Sequence, residues 1–393
     1  MDRRTDIFLE EIADELGNNI LPYWLTLSDP EGGFFGEADA RGLVFKDAPR
    51  GAVLYSRIIR SFAAAFGSLG RKEYLDAAIH ARNWFVEHLI DNENGGVFWS
   101  VTSDGKPLDP KKQLYAQGFA VYGLSELYKV TGDRADLEAA VNLFRVVEDR
   151  FADREEGGYI EALSRDFSPL ADMSLSAHDI NAGKTMNSHL HILEAWGNLY
   201  KVWPDPSLRK SIEDLAGILC RKIAGPDGHL RLYFDKDWSV LPGAVSFGHD
   251  IETSWLLLEC ADAVGDAGLT ESVMPCSLAL GLAGNEGLLE DGSMMYELLS
   301  DGTPDLSRQW WVQAETVVGN LWLWKRHGVE EGLANALRCW EWIRENLVDR
   351  TCGEWFWGVG PDGVADLGSP KAGIWKCPYH NSRMCLEVLK MFG

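Results

Sequence analysis

The sequence predicts an all-α protein, a barrel of six helical hairpins (an α/α barrel) that carries short β-hairpin loops at one end. Two observations predict this fold. About twelve segments show the 3.6-residue hydrophobic period of amphipathic helices. Between many helix pairs lie glycine- and aromatic-rich segments such as NENGGVFWSV and REEGGYIEAL, which are typical of short hairpins with turn glycines. The repeating unit is therefore helix, turn, helix and hairpin.

The predicted helices fill the chain from end to end. We expect them over 5–20, 51–67, 71–90, 113–130, 133–151, 184–203, 206–223, 249–265, 268–284, 308–327, 330–347 and 378–392. Each unit has roughly 65 residues, so six units account for the chain. A closed ring is the expected arrangement and an open solenoid is the alternative, although terminal caps are not evident. No linker rich in proline, glycine and serine divides the chain, so one catalytic domain over 1–393 is expected.

Charge and cysteine content limit the possible partners. The 60 acidic and 37 basic residues give a formal charge of -23, which repels nucleic acid and anionic lipid and favours a small neutral ligand. The start, MDRRTDIFLEEIADEL, is an acidic amphipathic helix, and no apolar run reaches the length of a membrane span. Seven cysteines without a C-x-x-C pair fit reduced thiols. We expect a cytoplasmic protein.

In such a barrel the inner helices run parallel, so their N-termini gather at one end and mark the site. Polar and aromatic side chains in the first turns of these helices are the candidates: Arg57, Tyr115, Asn187, His191, His249, Glu252, Trp311, Glu315 and His380. At about 100° per residue, Asn187 and His191 share the polar face of their helix. His189 falls on the apolar face, where a packing histidine is expected.

The segment FGHDIE places His249 at the start of a helix, and CPYHN does the same for His380, because Pro378 suits the first helical position. The positive end of the helix dipole disfavours imidazolium and keeps each ring neutral and basic. Glu252 lies one turn after His249, where it could bind a sugar hydroxyl or hold a ring nitrogen. Two neutral histidines facing each other across a cavity predict a two-base site.

Four segments, MNSHLHILEAW, FGHDIETSWLL, QWWVQAE and KCPYHNSRM, resemble the N-acylglucosamine 2-epimerase superfamily, most closely its cellobiose 2-epimerase branch. The forms GHDIE and PYHN are similar to those of that branch. The resemblance implies an α/α barrel without a metal or organic cofactor. It also implies C2 epimerisation of the reducing-end glucose of β-1,4-linked disaccharides such as cellobiose. N-acylglucosamine epimerisation and aldose–ketose isomerisation are the neighbouring activities.

This chemistry assigns a role to each candidate. In the family's ring-opening position, His191 would move the proton between O5 and solvent or the anomeric oxygen. His249 and His380 would be the acid and base at C2, and Arg57 would stabilise the enediolate charge. The expected disaccharide ligands are Tyr115, Asn187, Glu252, Trp311, Glu315, Trp357 and Trp375. A monomer or weak homodimer is expected.

Other readings of the sequence are weaker. GVGPDG (358–363) matches G-x-G-x-x-G, but its proline and the loop that follows do not fit a dinucleotide fold. AGKT (182–185) ends like a Walker A loop, yet His178 stands where the first glycine belongs. No H-E-x-x-H or carboxylate-rich metal loop is present. A glycoside hydrolase would need a carboxylate pair, for which Asp179, Glu252 and Glu315 are candidates. A non-catalytic carbohydrate-binding or protein-interaction barrel is the third class.

Overall fold

The computed structural model describes residues 3–176 and 179–393, so His178 lies outside the described residues. The helices within that part are α1 Arg3–Asp14, α2 Leu21–Thr26, α3 Ala52–Leu69, α4 Lys72–His88, α5 Leu114–Thr131, α6 Arg134–Arg150, α7 Met186–Tyr200, α8 Pro206–Ile218, α9 Phe247–Val264, α10 Ala267–Gly284, α11 Trp310–His327, α12 Glu331–Trp342 and α13 Tyr379–Phe392. A π-helical turn, Glu15–Ile20, joins α1 to α2. Each of the predicted helices is present, and the predicted all-α class is confirmed.

Six inner helices form a closed ring. Along the chain α3, α5, α7, α9, α11 and α13 each contact the next, and α13 contacts α3. The outer helices α4, α6, α8, α10 and α12 pack on the inner helix that precedes each of them, and α1 packs on α13. The sixth pair is therefore made from the two ends of the chain. This closure confirms the α/α barrel and excludes the open solenoid.

The contrast between the two rings follows from their sequences. The first three turns of α5 are buried on all sides, whereas α6 buries one face. A helix that is apolar around its whole circumference must be surrounded by other elements, and one with a single apolar stripe lies at the surface. Gly70 and Gly132 end α3 and α5 with φ of 68°, a conformation in which a β-carbon would be strained.

Short antiparallel strands connect the N-terminal ends of the inner helices. They are β1 Glu37–Ala38, β2 Val44–Phe45, β3 Arg50–Gly51, β4 Ser100–Val101, β5 Pro107–Asp109, β6 Lys112–Gln113, β7 Ala162–Leu163, β8 Lys184–Thr185, β9 Tyr233–Phe234, β10 Glu297–Leu298, β11 Pro304–Asp305, β12 Arg308–Gln309 and β13 Gly358–Val359. Local hairpins pair β1 with β2, β4 with β5 and β10 with β11. The predicted hairpin loops at one end are confirmed.

The other pairings run from one repeat to the next. In four pairs, the strand just before an inner helix pairs with a strand in the linker that precedes the next inner helix. These pairs are β3–β4, β6–β7, β8–β9 and β12–β13. Bridges between Val245 and Leu298 and between Ala38 and Ala372 complete the circle. Each inner helix therefore begins from a backbone position that is fixed by its neighbour.

Buried ion pairs stabilise the end of the barrel that carries these strands, which we call the rim. Lys112 bonds Asp91 at 2.9 Å, and both side chains are almost fully buried. Lys371 pairs with Asp349 in the same way, with the lysine fully buried. Each pair ties the segment that leads into an inner helix to the turn at the start of the same linker. Loss of one partner would leave a buried charge without compensation.

Candidate active site

A cavity of about 600 Å³ opens at the end of the barrel where the inner helices begin. Of the residues predicted for the site, Glu315 does not line this cavity. The others do: Arg57, Tyr115, Asn187, His191, His249, Glu252, Trp311, Trp357, Trp375 and His380. The helix N-termini therefore converge as the sequence predicts. The wall is both polar and aromatic, which suits a ligand with hydroxyl groups on apolar ring faces.

His380 is held by a carboxylate from the neighbouring inner helix. Its Nδ1 lies 2.7 Å from Oε1 of Glu315 and 3.9 Å from Oε1 of Glu252. Burial, followed by the charges of Arg57 and Arg383, lowers the pKa of His380 well below its usual value. An ionised carboxylate only accepts, so Nδ1 carries the hydrogen and Nε2 is the free basic atom.

Glu315 therefore differs from its predicted role as a hydroxyl ligand. Its Oε1 accepts from Arg383 at 2.7 Å as well as from His380, and its Oε2 accepts from Trp255 at 3.1 Å. Both oxygens are bonded to protein and the residue does not line the cavity. The structure places Glu315 behind His380, where it orients the imidazole.

His191 has the same arrangement on α7. Its Nδ1 lies 2.9 Å from Oε2 of Glu194, one turn further along the helix. Burial is the main cause that lowers the pKa of His191. Tyr379 also donates to Oε2 of Glu194, and Arg383 donates to Oε1. His191 is therefore neutral, with Nε2 free to exchange a proton.

The helix that carries His191 begins at a well-defined cap. The Thr185 hydroxyl accepts from the backbone N–H of Ser188, and the Glu161 carboxylate accepts from Thr185 and Ser188. His189, predicted to be a packing residue, bonds the Thr185 carbonyl through Nδ1 and accepts from the Tyr159 N–H through Nε2. It does not line the cavity.

His249 is held differently from the other two histidines. Its Nδ1 lies 2.8 Å from the hydroxyl oxygen of Ser246, the residue that precedes α9, so Glu252 does not hold this ring. Burial lowers the pKa of His249 to about 3. The Trp311 ring centroid lies 4.6 Å from that of His249 and 5.7 Å from that of His380. A β-carbon on Gly248 would lie 2.9 Å from the Trp311 ring, which explains the glycine before His249.

Arg57 is a buried cation without an anionic partner. It donates to the Tyr115 hydroxyl at 2.8 Å, and its guanidinium lies 4.2 Å from the Phe119 ring centroid and 4.6 Å from that of Tyr379. Within residues 3–176 and 179–393 it forms no ion pair with a carboxylate. Such a cation at a cavity wall is suited to an oxyanion that develops in the reaction.

Comparison with known proteins agrees with this geometry. Residues 33–382 match the profile of the N-acylglucosamine 2-epimerase (GlcNAc 2-epimerase) family. The chain belongs to this family. It is 46% identical to a cellobiose 2-epimerase of Bacteroides fragilis over 98% of the chain and 99% of that protein.

Solved structures from the family have the same barrel. The cellobiose 2-epimerase of Spirochaeta thermophila is 40% identical, with a TM-score of 0.93 over 98% of this chain and 96% of that one. The cellobiose 2-epimerase of Bacillus thermoamylovorans is 35% identical, also with a TM-score of 0.93, over 98% and 100% of the two chains. Within the family, this chain is a carbohydrate epimerase.

Glu252 lines the cavity. Its Oε1 accepts from Arg383 at 2.5 Å, and its Oε2 is buried without a protein partner in the described part of the chain. Burial and the charge of Glu315 raise the pKa of Glu252 to about 8. The protonated form of this carboxyl therefore predominates at pH 7, and in that form it can donate a hydrogen bond.

A cation-binding role for the carboxylates is disfavoured by Arg383. One group of possible metal ligands in the described residues, Glu252, Glu315 and His380, has its atoms within 4.8 Å of one another. The Arg383 guanidinium donates to both carboxylates, so it already supplies the positive charge that a metal would bring.

Sequence reasoning missed several contributors to the site. Arg383 lies three residues after His380 within the quoted motif KCPYHNSRM, and an arginine on the inner face of a buried helix is a signal that could have found it. The linkers also contribute to the cavity wall, which includes Leu175, Ile180, Tyr233, Tyr296 and Glu297. They were not predicted because the prediction was based on the first turns of helices, and these residues lie in the linkers between helices.

Proposed function

We propose that this chain catalyses the reversible C2 epimerisation of the reducing-end glucose of β-1,4-linked disaccharides, with cellobiose and 4-O-β-glucosyl-mannose as the two epimers. The observation that carries the proposal is the set of three neutral histidines that line one cavity with Arg57, which has no carboxylate partner in the described part of the chain. The similarity to cellobiose 2-epimerases over nearly the whole chain supports the choice of substrate.

Ring opening precedes chemistry at C2. His191 has a free Nε2 and moves a proton between O5 and the anomeric oxygen as the C1–O5 bond breaks. This step gives the open-chain aldehyde, whose carbonyl makes the C2 proton acidic. Glu194 keeps the imidazole in the tautomer that this transfer needs.

Two histidines then act on opposite faces of C2. From the gluco epimer, His380 Nε2 takes the C2 proton, the C–H electron pair forms the C1–C2 double bond, and the carbonyl pair moves onto O1. The Nε2–H of His249 then gives its proton to the other face of the planar cis-enediolate: the C1–C2 pair forms the new C2–H bond, the O1 pair re-forms the carbonyl, and the manno epimer results. His380 releases the proton that it took to solvent, and His249 regains one from solvent, which restores both imidazoles. The Trp311 ring, which contacts both imidazoles, is placed to support the sugar between them.

Arg57 stabilises the negative charge of the enediolate. A fixed guanidinium without a carboxylate partner is available to the oxyanion and needs no reorganisation when the charge forms. The neutral carboxyl of Glu252 offers a hydrogen bond to the same part of the sugar. Neither contribution requires a metal or an organic cofactor, and we propose cofactor-independent catalysis.

The aromatic wall supports a disaccharide substrate. Trp375 lies 5.7 Å from Trp99 between ring centroids, and Trp357 lies 4.5 Å from Trp310. Trp357 and Trp375 line the cavity. Apolar ring faces of this kind bind the faces of pyranoses. Binding of the second sugar can hold C2 in place, which raises kcat/KM above that for free glucose or N-acetylglucosamine.

The geometry is less suited to glycoside hydrolysis. A hydrolase needs two carboxyl groups that flank the scissile bond. Glu252 and Glu315 instead meet at the same nitrogen of Arg383, and Glu315 does not line the cavity. Asp179 is bonded to the Tyr233 hydroxyl at 2.8 Å.

The deciding experiment is NMR of cellobiose incubated with the enzyme in heavy water. Deuterium should enter C2 of the reducing-end residue, and 4-O-β-glucosyl-mannose should accumulate without cleavage. Free glucose as the main product would indicate a hydrolase, and a ketose would indicate an isomerase. A higher kcat/KM for N-acetylglucosamine than for cellobiose would place the activity in the neighbouring branch.

We also propose a cytoplasmic location and a monomer or weak homodimer. None of the described helices combines the length and apolarity needed to cross a membrane. All seven cysteines of the chain are unpaired, as expected in a reducing compartment. Size-exclusion chromatography with light scattering tests the oligomeric state.

A further inference from the structure

The Arg383 guanidinium ties together four of the six inner helices. It projects from α13, is 1% exposed, and donates to carboxyl oxygens of Glu194 of α7, Glu252 of α9 and Glu315 of α11. The distances to Glu252 and Glu315 are 2.5 and 2.7 Å. Rings of Tyr379 and Trp255 cover the guanidinium, with centroids 4.3 and 4.8 Å from its central carbon.

Two of the three carboxylates also hold a histidine of the proposed reaction. Glu194 contacts Nδ1 of His191 at 2.9 Å, and Glu315 contacts Nδ1 of His380 at 2.7 Å. Both contacts require the same tautomer, with hydrogen on Nδ1 and a lone pair on Nε2, as long as the carboxylates are ionised. Arg383 therefore bonds both of the carboxylates that hold His191 and His380.

The ionised state of these carboxylates depends on Arg383. Burial raises the pKa of Glu315, and the charge of Arg383 opposes that rise. Burial also acts to raise the pKa of Glu194, but the charge of Arg383, together with hydrogen bonds to this carboxylate, holds that pKa well below its usual value. Three carboxyl groups buried together repel one another, and without a cation they take up protons. A protonated carboxyl can donate to Nδ1, which moves the ring hydrogen to Nε2 and removes the free base. The third group, Glu252, can carry its proton without affecting a tautomer, because in the described part of the chain neither of its oxygens is hydrogen-bonded to a histidine.

We propose that Arg383 is a positioning residue that keeps Glu194 and Glu315 ionised and thereby sets the Nδ1–H tautomer of both His191 and His380. Its consequence for turnover rests on the proposed function, whereas the tautomers are a property of the free protein. His249 provides an internal reference, since the Ser246 hydroxyl holds its Nδ1 and Arg383 does not contact it.

The test is ¹⁵N NMR of histidine-labelled full-length protein, which distinguishes protonated from unprotonated ring nitrogens. Signals are assigned with single histidine-to-asparagine variants. In the unchanged protein at neutral pH, His191 and His380 should be protonated at Nδ1 only. In Arg383→Met both should shift to the Nε2–H tautomer or to a mixture, while His249 stays unchanged. Unchanged tautomers of His191 and His380 in the folded variant would overturn the proposal.

Arg383→Lys keeps the proposal testable if Arg383→Met does not fold. A lysine ammonium cannot reach three carboxylates as the forked guanidinium does, so at least one of the two histidines should change. Retention of both tautomers would count against the proposal. Glu194→Gln should affect His191 alone, and Glu315→Gln should affect His380 alone, because each variant leaves the other carboxylate on Arg383.

Activity gives a second readout. A wrong tautomer in a hydrolase triad lowers kcat by about 10⁴-fold, so Arg383→Met should lower kcat by about 10²- to 10⁴-fold with a small change in KM. Arg60→Met is the matched control, because Arg60 is another buried arginine and bonds Tyr122 at 3.1 Å. It should leave both tautomers unchanged. Absence of cellobiose epimerisation by the unchanged protein would refute the proposed function, and the NMR result would still decide the role of Arg383.

Discussion

The Nδ1 atom of His380 lies 2.7 Å from Oε1 of Glu315, a carboxylate that is buried behind the imidazole and does not line the cavity. His249 has the Ser246 hydroxyl in the equivalent place. The two histidines that flank C2 in the proposed mechanism are thus held by different chemistry. A carboxylate partner raises the basicity of the free nitrogen more than a hydroxyl does, which fits His380 as the base toward the gluco epimer.

Replacing either histidine tests the two-base mechanism. His249→Asn and His380→Asn should both abolish net epimerisation, because an imidazole on one face of the enediolate cannot reach the other. His249→Asn should still exchange the C2 proton of cellobiose with deuterium, and His380→Asn should not. The reverse is expected with 4-O-β-glucosyl-mannose. The measurement is NMR of C2 exchange for each epimer.

Circular dichroism should first establish that both variants are folded. Full epimerisation by either one would be incompatible with two bases. The opposite pattern of exchange would interchange the two roles.

Arg57 should matter more for kcat than for KM. Loss of one positioned donor to an oxyanion lowers kcat by about 10²- to 10³-fold, and we expect this range for Arg57→Met. Initial rates with cellobiose give both constants. Arg60 does not line the cavity, so Arg60→Met should retain kcat within several-fold. A rise in KM with unchanged kcat in Arg57→Met would show that Arg57 binds the sugar equally in the ground state.

His249 should make the folded protein less stable in acid. Its pKa of about 3 in the folded protein lies below the ordinary 6.5, so between these values the unfolded chain binds the extra proton. Stability from this group is fully present above pH 6.5 and is lost as the pH falls toward 3. His249→Asn removes this loss, which amounts to at most about 1.4 kcal/mol per pH unit.

The comparison uses urea unfolding at several pH values. His229→Asn is the contrasting variant, because the hydrogen bond to Asp250 raises the pKa of His229. A raised pKa contributes stability below pH 6.5 that is lost as the pH rises, so this variant should be weakened most in acid. Parallel pH curves for His249→Asn and the unchanged protein would contradict the prediction.

Lys371 should be important for stability. The side chain is fully buried beside Asp349, so Lys371→Met leaves a buried carboxylate without its partner and should lower the free energy of unfolding by about 3–5 kcal/mol. Lys210→Met removes an exposed pair with Asp214 and should cost less than about 1 kcal/mol. Denaturant unfolding of the two variants gives the difference. Equal effects would mean that the rim pairs contribute little.

Activity should survive metal removal. Arg383 supplies the positive charge between Glu252 and Glu315, and the proposed steps use only protein groups. Rates after dialysis against a chelator should equal those before. A lasting loss that a divalent ion restores would require a metal at these carboxylates.

Much of the site was predictable because it depends on local sequence. His249 and His380 lie in the first turns of their helices, and the period of each helix fixes which residues share a face. The role of Glu315 could not be predicted from local sequence. Sequence places it one turn below Trp311, but only the packing of α13 against α11 decides that His380 and Arg383 cover its carboxylate.

The sequence by itself determined the twelve helical segments, the turn glycines between them and the polar first turns of the inner helices, since these follow from periodicity and backbone preference within a few residues. Tertiary structure decided the rest. The first and last helices form the sixth pair because closure of the ring brings the buried face of α1, which includes Phe8 and Ile12, against α13. Arg383 meets Glu194, Glu252 and Glu315 because ring closure brings four distant helices to one axis, where a buried charge must find opposite charges.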